Sequence, residues 1–134
     1  MGNRAAITVE PYTEGEPCIY LHWNGSPEHV EAILVKACTQ GTRDNSDPTY
    51  CLAGIMKAAI EYCDYNGETG LGIGRTGFVD DGDNGTYVIG KGLMIVERRY
   101  DGEVMYARRI RTGYNEAKKK SPRIIDNLKE DHSS

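Results

Sequence analysis

The chain is poor in the residues that usually announce chemistry. It has three histidines, four cysteines, one tryptophan and one phenylalanine in 134 residues. No C-x-x-C pair occurs, and zinc needs three or four ligands at closed spacing, which His22, His29 and His132 do not supply. No catalytic constellation is legible. Cys18 and His22 share a strand face, but four residues along a strand separate them by roughly 13 Å, too far for a nucleophile and its base. No apolar run approaches the ~18 residues of a membrane span. No signal-peptide core follows Met1, and Ala6 stands where myristoylation wants Ser or Thr. These absences read as a cytoplasmic, non-enzymatic protein with no metal, no cofactor and no membrane partner. Cys18, Cys38, Cys51 and Cys63 then read as small buried hydrophobes.

What is present is an ordinary globular balance, 39% hydrophobic and 27% charged, in a length that suits one domain. The net charge of −4 hides a division. Residues 1–90 hold 5 Lys/Arg against 13 Asp/Glu, a balance of −8, and residues 91–134 hold 11 against 7, a balance of +4.

Strand patterns cover Ala5–Val9 and Cys18–Trp23, the second placing Ile19, Leu21 and Trp23 on one face and Cys18, Tyr20 and His22 on the other. Ser26-Pro27 and Asp47-Pro48 are helix starts. Val30, Ile33, Leu34 and Ala37 form the first helical stripe. Leu52, Ile55, Met56, Ala59, Ile60 and Cys63 form the second. Gly54 inside that second helix costs about 1 kcal/mol relative to alanine and implies a close packing contact. Further strands follow: Leu71 and Ile73 alternating with glycine, Thr86–Ile89, Leu93–Tyr100 and Glu103–Arg111. The last two flank Asp101-Gly102, a two-residue hairpin signal that sets Arg99 opposite Val104 and Arg98 opposite Met105.

The order β-β-α-α-β-β-β-β implies an α+β fold: one two-layer domain over residues 1–112, its antiparallel sheet covered on one face by two helices. Residues 113–134 read as a polar, basic tail, either frayed or loosely docked, or carrying one short helix capped at Ser121-Pro122 with Ile124, Ile125 and Leu128.

Two motifs fail on physical grounds. Gly72-Ile73-Gly74-Arg75-Thr76-Gly77 spells a dinucleotide fingerprint, yet no helix follows to meet a pyrophosphate. The loop Asp80–Gly85 resembles an EF-hand start, but Lys91 stands where the bidentate glutamate belongs. Asn84-Gly85 reads better as a tight turn, with a loose cation site in the acidic loop as the alternative.

Arg98, Arg99, Arg109 and Arg111 on the charged hairpin are the candidate partner-binding residues, with the hairpin tip in solvent; the competing reading is a solvated hairpin whose arginines pair with Glu97, Asp101, Glu103 or the acidic first half. A protein partner suits them better than nucleic acid, because the chain as a whole is acidic (pI about 5.4). A competing reading makes the chain a small-molecule binder or an enzyme with a pocket at the glycine-rich 70–85 region, with Asp80, Asp83 and His22 as ligand-binding residues. A third makes the protein a homo-oligomer built through an exposed sheet edge.

Three stretches carry a resemblance: Gly2-Asn3-Arg4-Ala5-Ala6-Ile7, Ile19-Tyr20-Leu21-His22-Trp23-Asn24-Gly25 and Gly82-Asp83-Asn84-Gly85-Thr86-Tyr87-Val88-Ile89. In this order they resemble a group of small bacteriophage, prophage and mobile-element proteins marked by NRAxI, YLHWNG and GDNGTY. The resemblance spans roughly residues 2–100 and departs in the helical middle and after Tyr100, so it does not extend to most of the basic hairpin or the tail. It implies a setting, in which a host defence component is one conceivable partner, and no chemistry.

Overall fold

A computed structural model describes residues 2–65, 70–100 and 103–105. Strands β1 (Ala5–Val9) and β2 (Pro17–Leu21) lead into helices α1 (Pro27–Thr39) and α2 (Pro48–Tyr65). Strands β3 (Leu71–Arg75), β4 (Thr86–Ile89), β5 (Ile95–Tyr100) and β6 (Glu103–Met105) follow. The six strands form one sheet in the order β3-β2-β1-β4-β5-β6. This is the α+β arrangement and element order read from the sequence.

The sheet is mixed, because β1 and β4 run parallel while every other neighbouring pair is antiparallel. The cause lies in the route of the chain. Helices α1 and α2 return it antiparallel to β2 as β3, and residues 76–85 then cross to the far side of β1. There Arg4 O accepts from the Asn84 N–H at 3.0 Å, and Ala6 N–H donates to Gly85 O at 3.0 Å.

Ile7, Ile19, Leu21, Tyr87 and Ile89 point to the helices and share one core with Val30, Ile33, Ala37, Ile55 and Ala59. The opposite face is closed by the β3–β4 connection. Ala6, Thr8, Cys18, Thr86 and Val88 on that face are buried. A Cβ at Gly74 would overlap Val79 of the connection, so the glycine makes room for the crossing chain. All four cysteines are buried, and none forms a disulfide among the described residues. Burial pushes the Cys18 thiol up to about 11 and that of Cys51 to about 12, so neither is a ready nucleophile.

Both prolines start their helices, but the caps differ from expectation. Ser26 makes no side-chain cap; its carbonyl accepts from the Val30 N–H at 3.0 Å. Asp47 is drawn to Arg43 at 2.6 Å. The close contact expected at Gly54 is present, since a Cβ there would overlap Thr42. The second helical stripe is wider than the surface that covers it: Ile55, Ala59 and Cys63 are buried, whereas Ile60 is 49% exposed.

The expected strand Leu93–Tyr100 begins two residues later. Lys91–Leu93 is a 3-10 turn in which Gly92 (φ 70°) and Leu93 (φ 61°) are left-handed. Buried Asp44 holds it from the α1–α2 loop. One carboxylate oxygen accepts from Gly92 N–H at 2.8 Å, the other from Ser46 N–H at 3.0 Å and Ser46 Oγ at 2.7 Å. Burial pulls the Asp44 pKa up, and the bonds from Gly92 and Ser46 more than offset it, so the net shift is downward.

Candidate functional site

The β5–β6 register is the expected one: Arg98 lies opposite Met105 and Arg99 opposite Val104. The tip itself, residues 101–102, lies outside the described residues. On its other side β5 pairs with β4 as far as Thr86 opposite Arg99. Within that ladder Val88 faces Glu97 and Ile89 faces Ile95, which leaves Val96 as an unpaired bulge. The bulge resolves the irregular alternation of this stretch. It keeps Ile95 and Arg98 on the helix side and turns Glu97 and Arg99 toward the β3–β4 connection.

Each arginine is braced rather than waving in solvent. The Arg99 guanidinium lies 4.0 Å from the Tyr12 ring centroid, and its Nε donates to Glu97 at 2.9 Å. Arg98 lies 5.2 Å from the Tyr87 ring and 5.7 Å from the Tyr100 ring, and its Nε donates to Asn84 O at 2.9 Å. Beside Arg99 opens a cleft of about 560 Å³ whose walls include Tyr12, Gly77, Asp81, Thr86, Tyr100 and Glu103. The Thr86 hydroxyl donates to Asp81. Arg109 and Arg111 lie outside the described residues, as does the tail with its expected helix.

Asp80, Asp83 and His22 do come together, but around a fourth residue the sequence did not single out. Arg4 Nε donates to Asp83 at 2.9 Å, its backbone N–H donates to the same oxygen at 2.9 Å, and its guanidinium also binds Asp80. Tyr20 bonds His22 Nδ1 at 3.1 Å beside them. These carboxylates are therefore occupied by the protein's own arginine. The bonds from Arg4 hold the Asp83 carboxyl down to about 2 and raise the pKa of Arg4 itself. No sequence signal marks this pair, because nothing local links position 4 to position 83.

The three stretches that carry the resemblance also meet here. Asn3 N–H donates to His22 O at 2.9 Å, Gly25 N–H to Asn3 O at 2.8 Å, and Asn84 Nδ2 to Asn3 Oδ1 at 2.6 Å. Their physical work is to clamp the entry of β1 between the end of β2 and the start of β4.

An acid titration follows from the Arg4–Asp83 pair. Asp83 has a folded pKa below its unfolded value near 3.9, so its contribution is complete above pH ~4 and is lost as pH falls toward about 2. Thermal unfolding measured from pH 6 to pH 2 should show a steeper fall for the wild type than for Asp83→Asn, with the two curves converging at the acid end. Parallel curves would remove the pair from the account.

Among the described residues no group of His, Cys, Asp and Glu is arranged to hold a metal ion, and no helix is long and apolar enough to cross a membrane. Comparison with protein-family models, with curated proteins and with solved structures gives no match for this chain.

Proposed function

We propose that this chain is a non-enzymatic binding protein of phage or mobile-element type, working in the host cytoplasm by occupying a protein partner through the β5–β6 side of its sheet. A host defence component fits that setting. The observation that carries the reading is the preorganised state of Arg99. It is stacked on Tyr12, tied to Glu97 and set at the mouth of a cleft. Arginine and tyrosine dominate binding hot spots, because they bring large contact areas and directed donors at low entropic cost. A braced guanidinium has already lost much of the freedom that binding would otherwise remove. Val104 and Tyr100 beside it are 56% and 37% exposed, which gives a partner apolar surface next to the charge.

Arg99→Ala is expected to weaken capture of the partner by at least about 2 kcal/mol, roughly thirtyfold, in a variant that keeps its circular dichroism and cooperative unfolding. The wider variant with glutamate at Arg98, Arg99, Arg109 and Arg111 should abolish it. Unchanged affinity in a folded variant would discard this surface.

One observation favours a second reading, in which a small molecule fills the cleft. Its volume of about 560 Å³ lies in the range of ligand sites, and Gly77 and Gly82 let the backbone come close. A thermal-shift screen of anionic metabolites tests this: stabilisation lost on Arg99→Ala would support it, and a flat screen would not.

A further inference from the structure

We infer that β3 is a dimerisation edge, pairing antiparallel with the β3 of a second copy about a two-fold axis at Ile73. Among the described residues β3 is the outermost strand on its side of the sheet. Its backbone pattern is fixed by its inner neighbour. His22 N–H donates to Gly70 O at 2.7 Å and Thr76 N–H donates to Glu16 O at 2.8 Å, so the even-numbered residues between them bond inward to β2. The backbone N–H and C=O groups of Leu71 and Ile73, with the N–H of Arg75, therefore point outward.

Natural edges are commonly protected by lysine, proline, a bulge or an inward charge. β3 has none of these at its centre. Ile73 is 65% exposed, and the residues on either side are glycines, with nothing within 4 Å of where a Cβ of Gly72 would lie.

The order Leu-Gly-Ile-Gly-Arg is what makes a second copy the fitting occupant. Antiparallel pairing about Ile73 sets Ile73 against Ile73, Gly72 against Gly74 of the mate, and Leu71 against Arg75. No side chain collides, and the two isoleucines cover each other. Such a contact is isologous and closes at two subunits.

The surface beside the strand has matching character. Between α2 and β3 runs a groove of about 520 Å³ walled by Leu52, Met56, Ile60 and Ile73. The charged residues lining it are Lys57 and Glu61, an ion pair at 2.9 Å one turn apart on α2. A two-fold axis reverses that order in the mate, so the lysine end of each helix lies toward the glutamate end of the other. The groove lining is thus neutral in a chain of net charge −4, and like-charge repulsion does not oppose closure there.

The test is the mass of the full chain in solution, by light scattering across a concentration series. The wild type should show twice the 14.9 kDa chain mass, and Ile73→Asp should halve the observed mass while keeping its circular dichroism. In a separate arm, Ile73→Cys should cross-link to a covalent dimer under mild oxidation, since the two Cα atoms of such a pair lie ~5.5 Å apart. Tyr50→Cys, exposed elsewhere on α2, should not. A monomeric wild type, a folded Ile73→Asp that stays dimeric, or a failure of Ile73→Cys to cross-link would each overturn the proposal. Partner capture through Arg99 lies at the other side of the sheet and is read separately, so either idea can fail alone.

Discussion

Gly85→Ala is expected to lower the unfolding free energy by about 3–5 kcal/mol, as strain at a left-handed residue and overpacking against a fixed neighbour add together. Gly85 sits at φ +84°, and a Cβ there would overlap the carbonyl oxygen of Arg99 and lie 3.0 Å from Tyr100 Cα. Both obstacles are backbone of β5, which is held by β4 on one side and β6 on the other. No side chain can swing aside to make room. The glycine is pinned as well, since its N–H donates to Asp81 O at 2.7 Å and its carbonyl accepts from Ala6. Gly85→Asn separates the two causes. Asparagine tolerates the left-handed region but carries the same Cβ, so it should recover only the smaller part of the loss. Urea unfolding of the three proteins measures this directly. A loss under about 1 kcal/mol in Gly85→Ala would mean that β5 does not pass this close to the turn.

The second large effect is expected at Tyr87. It is 1% exposed, stands among the largest fully buried side chains, and its ring packs in the shared helix–sheet core. Its hydroxyl donates to Gly25 O at 2.9 Å, and burial pushes its pKa up to about 12. Truncation to alanine removes a whole buried ring and should cost about 3–5 kcal/mol. Tyr87→Phe keeps the ring and strands the Gly25 carbonyl, for about 1–3 kcal/mol. The phenylalanine variant therefore isolates the hydroxyl. If it proves as stable as the wild type, the Tyr87–Gly25 bond is not made in solution.

The readable parts of this chain were those set by local rules. Period-3.6 stripes mark both helices, prolines mark their starts, and the β5–β6 register is the one expected, with Arg98 opposite Met105. The parallel β1–β4 pair was not readable, because it depends on where a ten-residue connection lands and no local pattern encodes that. The start of β5 is hidden from the sequence for a related reason. Leu93 looks like strand, but Asp44, distant in sequence, holds Gly92 N–H and bends the chain there.

The site was legible in its residue types and not in its pairings. Arg99 stood out as one of a run of charges, while Tyr12, the ring that braces it, carried no signal. Asp80 and Asp83, acidic residues that suggest a ligand, bind Arg4, and His22 beside them bonds Tyr20. Opposite charges far apart in sequence announce nothing about which will meet.

The most direct test of the central claim is capture from host lysate with the tagged full chain, before and after nuclease, in the wild type and in Arg99→Ala. The account predicts one protein, near stoichiometric, that survives nuclease and is lost from the folded variant. A capture that vanishes with nuclease, or one that is equal in both proteins, would contradict it.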